Sequence, residues 1–373
     1  MSAFLIYFLI IINIYLINCS KISSNYSTKI SSEHFENNFE DDFSPSLLYD
    51  ARINSKILFN KLGEISKKKI GKIKPQINKQ TTVKLKAYQF NRDLTKDKFF
   101  PLSAAAYGNE ENIRKCLNKT FINYELINVT KVYCNGHESQ ICSGFVALSH
   151  DDKAIILSFR GTNSFTQLLL ESSEIACKSQ TEVNIGGKVA TYFTEIYEQL
   201  KAEGIINCVI NLIKIYANYE LWITGHSLGG ALASLAAAEI ASSGLINAQN
   251  IKLLTLGQPR TGNWVWAAAM DQILPYYNYR VVNHRDVIVH LPMRFFEGYH
   301  HYSTEIWYNN GMDGDEDGEE DTFIVCNDMD EDDDNCSNSL WYYKTSHHIN
   351  YFGYSNIGNY GRNGCSGEMD KYT

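Results

Sequence analysis

The sequence predicts an α/β fold with a mostly parallel sheet covered by helices on both faces, and three observations predict it. From about Ala87 onward, short apolar runs of strand length alternate with helix-like stretches. Strand, helix, strand in repetition requires crossover connections, and these place parallel strands side by side. The strand-like runs are centred on consecutive apolar residues such as Ile155-Ile-Leu, Leu253-Leu and Val281-Val, which suits buried strands. Finally, 373 residues that are 44% hydrophobic and 13% aromatic suffice for the core of one large domain with appendages.

The strands are "KAIILSFRG" (Lys153 to Gly161), "YELWITG" (Tyr219 to Gly225), "IKLLTLGQP" (Ile251 to Pro259) and "YYNYRVVNHRD" (Tyr276 to Asp286). Between them, "KVATYFTEIYEQLKAEG" (Lys188 to Gly204) and "GGALASLAAAEIASSG" (Gly229 to Gly244) carry helical patterns. Ahead of them lies "MSAFLIYFLIIINIYLINCS", whose apolar run from Phe4 to Ile17 is short for a bilayer span and fits the h-region of a secretory signal. Residues 1–19 are therefore read as a signal peptide, after whose cleavage no transmembrane domain is expected. An uncleaved anchor is the alternative, since no Lys or Arg precedes the run. Residues 20–83 are rich in Ser, Asn and Lys without usable periodicity and read as a linker or pro-segment. Its "KKKIGKIKPQINK" (Lys67 to Lys79) reads either as solvated charge or as a tether to a polyanionic surface. Residues 84–373 remain as the main folded domain.

The formal charge of −8 is too modest for a nucleic-acid binder, and much of the acid is concentrated in "MDGDEDGEED" and "DMDEDDDN". "DGDEDG" (Asp313 to Gly318) opens like a calcium loop. Its twelfth position is Ile324, where a bidentate Glu is needed, so no metal site is assigned. If Cys19 leaves with the signal, eight cysteines remain, an even number that fits an oxidising, extracellular route. Asn25, Asn118, Asn128 and Asn335 each begin a glycosylation acceptor triplet. The oligomeric state is left open.

The pentapeptide Gly225-His-Ser-Leu-Gly229 joins a strand to a helix, the setting of a nucleophile elbow. Its glycines remove side chains that would collide with the neighbouring helix or strand, and Ala231, Ala233, Ala236, Ala237 and Ala238 allow close helix packing. The helix N-terminus aims N–H groups where Ser227 would build negative charge. A serine hydroxyl is a poor nucleophile until a base takes its proton, so a histidine held by a carboxylate must come from elsewhere in the chain. Among ten histidines, composition selects none. Asp286 follows an apolar strand, at the carboxyl edge where sites of open α/β sheets form. A turn or capping Asp is the alternative.

Six ordered motifs, "LSFRGT", "GHSLGGALASLAA", "LGQPRTGN", "VNHRDVIVHLP", "GYHHYSTEIW" and "HHINYFG", resemble those of the class 3 lipases, the fungal lipase-like family, from about Tyr88 to Gly353. The resemblance implies an α/β-hydrolase-type sheet and a triad in chain order Ser, Asp, His. It places the nucleophile on Ser227, the acid on Asp286 and the base on His348, one residue from His347. It also places the oxyanion donors at Thr162 and Leu228, a lid over "NSFTQLLLE" with Phe165, Leu168, Leu169 and Leu170 as its apolar residues, and a disulfide between Cys326 and Cys336. A buried helix is the alternative reading of the lid pattern, and ordinary turn chemistry after Gly161 is the alternative for Thr162. His290, His300 and His301 are assigned packing or hydrogen-bonding roles. Gln167 and Leu168 stand where the family usually has Asn-Trp, and Asn184 and Gly187 where a His and a Phe are common, which bears on the lid and on acyl-chain choice.

The function implied is a secreted serine carboxylic-ester hydrolase acting on lipid esters at a lipid–water interface, foremost a triacylglycerol lipase, with no cofactor. A phospholipase A1, a polar-ester esterase and a catalytically silent lipid-binding protein are the alternatives.

Overall fold

Side chains that alternate between two apolar faces require two covering layers, and the central sheet has both. The computed structural model describes residues 90–134, 141–162, 179–293, 298–312, 321–326, 336–340 and 342–367. All of them lie within the unit Lys84–Thr373, into which the chain divides after Val83.

The strands are β1 (Tyr124–Tyr133), β2 (Ile141–Ser149), β3 (Ala154–Phe159), β4 (Gln180–Glu182), β5 (Lys188–Ala190), β6 (Glu220–His226), β7 (Ile251–Leu256), β8 (Gly262–Asn263), β9 (Asn278–Asn283), β10 (Tyr299–His300), β11 (Glu305–Tyr308) and β12 (Ile324–Cys326). The main sheet runs β1-β2-β3-β6-β7-β9-β11-β12. Its centre, β3-β6-β7-β9-β11, is parallel throughout, and β1, β2 and β12 add antiparallel edges. A smaller antiparallel sheet runs β10-β8-β5-β4. The principal helices are α1 (Phe100–Ala105), α2 (Glu110–Thr120), α3 (Thr191–Ala202), α4 (Ile205–Ile215), α5 (Leu228–Ser242), α6 (Trp264–Ile273), α7 (Ser346–Ile349) and α8 (Ile357–Arg362).

Period-two alternation divides each central strand between two cores. Ile155, Leu157, Leu221, Ile223, Ile251 and Leu253 belong to a cluster with residues of α3, α4 and α5. Ile156, Trp222, Leu254, Leu256, Val281 and Ile306 belong to a second with residues of α1, α2 and α8. Phe159 pairs with Gly225, and Gly225 with Thr255, so β3, β6 and β7 end level with one another. Leu256 pairs with Val281, so the chain leaving β9 emerges at the same edge. Register alone thus gathers Gly161–Thr162, Ser227, Gly257 and Asp286 at one rim.

Two departures from the sequence reading have local causes. The stretch from Lys188 begins as β5, and the helix starts only at Thr191, because the turn at Gly186 and Gly187 folds it back on β4 and fully buried Val189 pairs with Gly262. β1 and β2 extend the sheet ahead of the first strand read from the pattern. β1 is half-exposed along most of its length, and its register shifts between Leu126 and Asn128, which blurs its alternation.

Disulfides join Cys116 to Cys365, Cys134 to Cys142 and Cys326 to Cys336. Cys208 is free, so the even count does not pair every described cysteine. Residues 313–320, with the calcium-like acidic run, lie outside the described residues. Among the described residues no helix is long and apolar enough to cross a membrane.

Asp271 of α6 accepts hydrogen bonds from the Ser303 N–H and hydroxyl, both 3.1 Å. Burial pushes its carboxyl from 3.8 up to about 6, despite those bonds and the charge of Arg280. A carboxyl with a raised folded pKa holds its proton more tightly than the unfolded chain does. Its contribution is neutral below about pH 4 and becomes destabilising as pH rises towards 6 and above. Asp271→Asn, which retains an acceptor, should therefore match the parent in urea unfolding near pH 4 and exceed it by about 2–3 kcal/mol at pH 8. A pH-independent difference would show that Asp271 does not titrate with folding.

Candidate active site

The junction of β6 and α5 is built by close approach. A Cβ on Gly225 would lie 2.3 Å from the Gly229 carbonyl, and one on Gly229 would lie 2.2 Å from the Phe159 oxygen. Without those side chains α5 sits directly against the strand, and the chain turns through Ser227 at φ 60°, ψ −128°, a conformation that costs a non-glycine residue energy. The Ser227 N–H is held by the Leu256 carbonyl at 2.9 Å, and its own carbonyl accepts from Gly230 at 2.9 Å. Leu228 opens α5, so its N–H is among the first-turn donors with no intrahelical acceptor.

Asp286 sits three residues past β9 and is fully buried. Its Oδ1 accepts from the Ile288 N–H at 2.8 Å, which fixes the carboxylate. The His348 Nδ1–H faces both carboxylate oxygens, at 3.0 Å and 2.9 Å. A carboxylate can only accept, so Nδ1 carries the proton and Nε2 presents a lone pair in the neutral ring. Ser227 is 1% exposed and His348 2%. Among the described residues, the Ser227 Oγ and His348 Nε2 are buried without a hydrogen-bond partner, the two atoms between which a proton would pass in catalysis.

His347, the neighbour to which a shift of one residue would move the base, is engaged elsewhere. Its Nδ1 accepts the Arg285 N–H at 3.0 Å, and its ring stacks on His284 at 4.7 Å. Burial, aided by His284, Lys344 and Arg285, lowers its pKa to about 4, so it is neutral at physiological pH. The Lys344 N–H also donates to the Arg285 carbonyl at 2.7 Å. The segment carrying the base is thereby fastened to the one carrying the acid on either side of Arg285.

Gly161 and Thr162 leave β3 beside the nucleophile: a Cβ on Gly161 would lie 3.1 Å from the Ser227 Cβ. Thr162 is therefore at the same rim as Leu228. The lid residues Phe165, Leu168, Leu169 and Leu170 lie outside the described residues. His301 donates from Nε2 to the Val289 carbonyl at 2.7 Å, and His290 Nδ1 donates to Asn338 Oδ1 at 2.9 Å, hydrogen-bonding roles both. His300 lies in β10. Among the described residues, no group of three or more His, Cys, Asp or Glu side chains could hold a metal ion.

Sequence reasoning missed His226, the middle residue between Gly225 and Ser227. It accepts from the Tyr107 hydroxyl at 2.7 Å through Nδ1 and reaches the His348 carbonyl at 2.7 Å through Nε2. Burial, followed by the neighbouring His348, holds its pKa well below the usual imidazole value. Tyr107 and His348 lie 119 and 122 residues away in the chain, so no local pattern could announce the contact.

The profile of the family described as Lipase (class 3) matches residues 156–296. The chain is 34% identical over 305 residues to the Caenorhabditis elegans lipase ZK262.3, covering 72% of this chain and 81% of that one. It is 33% identical over 215 residues to a Rhizomucor miehei lipase, covering 57% of this chain and 55% of the relative. The solved structure of the Rhizomucor miehei triacylglyceride lipase superposes with a TM-score of 0.60 at 25% identity, over 72% of this chain and 97% of that one. With a central parallel sheet flanked by helices and a buried Ser, His and Asp at its carboxyl edge, the chain belongs to the class 3 lipases of the α/β-hydrolase superfamily and is a carboxylic-ester hydrolase acting on lipid esters.

Proposed function

We propose that the chain is a secreted triacylglycerol lipase working through an acyl-enzyme on Ser227. The observation that carries the mechanism is the His348 imidazole, held by both oxygens of a buried Asp286 with its free Nε2 in the same buried site as the unpaired Ser227 hydroxyl. Ser227 Oγ attacks the ester carbonyl carbon while His348 Nε2 takes the hydroxyl proton, and Asp286 steadies the imidazolium. The oxyanion is held by the Leu228 N–H and by Thr162 through its N–H and hydroxyl, close to the positive end of α5. Collapse breaks the ester C–O bond and His348 returns the proton to the departing alcohol. Water, deprotonated by the same nitrogen, then releases the fatty acid and restores Ser227.

The triacylglycerol assignment rests on the likeness to the Rhizomucor miehei triacylglyceride lipase. Secretion is supported by the N-terminal apolar run and by the three disulfides among the described residues, since such bonds persist in an oxidising environment. The catalytic domain is taken as residues 84–373, following the division of the chain after Val83. The segment after Thr162 is taken to cover the site in water and to open onto lipid. A panel of triacylglycerol, phospholipid and short-chain ester tests the substrate. A higher kcat/KM on phospholipid would reassign the enzyme as a phospholipase, and a preference for soluble ester would make it an esterase.

Ser227→Ala should lower kcat by roughly 10⁴- to 10⁶-fold while unfolding at the parent temperature, because only a hydroxyl is lost. Retained activity would move the nucleophile elsewhere. His348→Ala should be as inactive as Ser227→Ala. His347→Ala, which removes the acceptor for the Arg285 N–H and the stack on His284 but no group that meets Ser227, should keep at least about a tenth of the parent kcat. The opposite ranking would transfer the base to His347. If Phe165, Leu168, Leu169 and Leu170 belong to a lid, each side chain transferred to lipid favours opening by about 1.5–3 kcal/mol. Activity on a short-chain ester should then rise steeply past its solubility limit, and Leu169→Ser should blunt that rise. A smooth saturation curve, unchanged by the substitution, would make the segment fixed structure.

A further inference from the structure

His348 lies in α7, a helix of only four residues that has little stability of its own. Asp286 fixes one end of its ring, but a ring held at Nδ1 alone can still swing Nε2 away from the nucleophile. Beyond the links through Arg285, a further constraint comes from the residue just before Ser227. The His348 carbonyl can only accept, so the proton of His226 resides on Nε2 and is donated to that carbonyl at 2.7 Å. His226 Nδ1 then offers its lone pair to the Tyr107 O–H, also at 2.7 Å. The two imidazole rings lie 4.5 Å apart and 35° from parallel, and the ring of Tyr351 meets His226 edge-on at 5.6 Å. Tyr107 in turn packs against the loop that carries the oxyanion position, since a Cβ on Gly161 would lie 2.2 Å from its hydroxyl and 2.5 Å from the His226 carbonyl.

We propose that His226 is a positioning residue for the base, and that Tyr107 → His226 → His348 is a hydrogen-bonded line setting the height of His348 over Ser227. It rests on the reading of Ser227, Asp286 and His348 as the triad. The line touches all three working parts of the site: Tyr107 lies against the loop leading to Thr162, His226 is covalently next to the nucleophile, and its Nε2–H holds the main chain of the base. Movement of α7 relative to β6 is thereby resisted by a direct bond, with no dependence on the long connections between them. His226 does not touch the reacting atoms, so its loss should alter the rate of acylation and leave ester binding almost unchanged.

The test compares His226→Leu, His226→Gln and Tyr107→Phe in the full chain, using p-nitrophenyl butyrate for kcat and KM and thermal unfolding to check the fold. A glutamine amide reaches the place of Nε2 and can still donate to the His348 carbonyl. His226→Leu should lower kcat roughly 10- to 100-fold, as small misplacements of catalytic groups do, with KM within about threefold of the parent. His226→Gln should recover most of that loss, and Tyr107→Phe should fall between the two. A kcat for His226→Leu within about threefold of the parent overturns the proposal, as does equal impairment of the Leu and Gln variants. Should His226→Leu fail to fold, the other two decide: parent-like kcat in both overturns the proposal, and a loss in Tyr107→Phe that exceeds that in His226→Gln supports it. Labelling of the parent by a fluorophosphonate separates the two levels. Absence of label on Ser227 removes the triad reading itself, and a labelled parent with unaffected His226 variants removes only the positioning line.

Discussion

The close contact between β6 and α5 is the constraint on which the rest of the site depends. With no side chain at Gly225 or Gly229, the first turn of the helix rests on backbone atoms of β6 and β3. The chain between them can then turn only sharply, which places Ser227 at a positive φ with its side chain at the rim. The strain of that conformation is held by packing on both sides: nearly all of α5 is buried, and the Ser227 N–H is tied to Leu256. A nucleophile on a flexible loop would need ordering at each turnover. Here the ordering is supplied by the fold.

The remaining groups are placed relative to that junction by two kinds of force. The register of β3, β6, β7 and β9 brings the oxyanion loop and the acid to the same edge, a consequence of main-chain hydrogen bonding in a parallel sheet. The base lies on a single helical turn, outside the sheet and far along the chain. It is fastened by charge-assisted and neutral hydrogen bonds: Asp286 to its ring, His226 to its carbonyl, and the links of Arg285 with His347 and Lys344 to its own segment. Buried imidazoles are costly unless their nitrogens are satisfied, and His226 satisfies both of its own within the site.

Cross-links act on the periphery of this arrangement. Cys116–Cys365 ties α2 to the chain after α8, whose residues belong to the same core as Tyr351, three positions beyond the base. Cys326–Cys336 closes the segment after β12 at the far edge of the sheet. Bridges of this kind limit the unfolded ensemble and suit a protein exposed to an oxidising medium.

Much of this was determined by the sequence itself. The central strands and α5 were legible because a buried parallel strand must be mainly apolar and an elbow must carry glycines at fixed offsets, both local requirements. The resemblance of ordered motifs added the assignments of Asp286, His348 and Thr162, which periodicity could not select. Tertiary structure alone decided what depends on partners distant in the chain. Lys188–Ala190 became a strand because Gly262 offered it a pairing edge, and the disulfides Cys116–Cys365 and Cys134–Cys142 joined cysteines whose spacing named no partner. His226 acquired its place between Tyr107 and His348 in the same way. In the sequence it is only the variable position of a pentapeptide, because a hydrogen bond spanning more than a hundred residues leaves no periodicity behind.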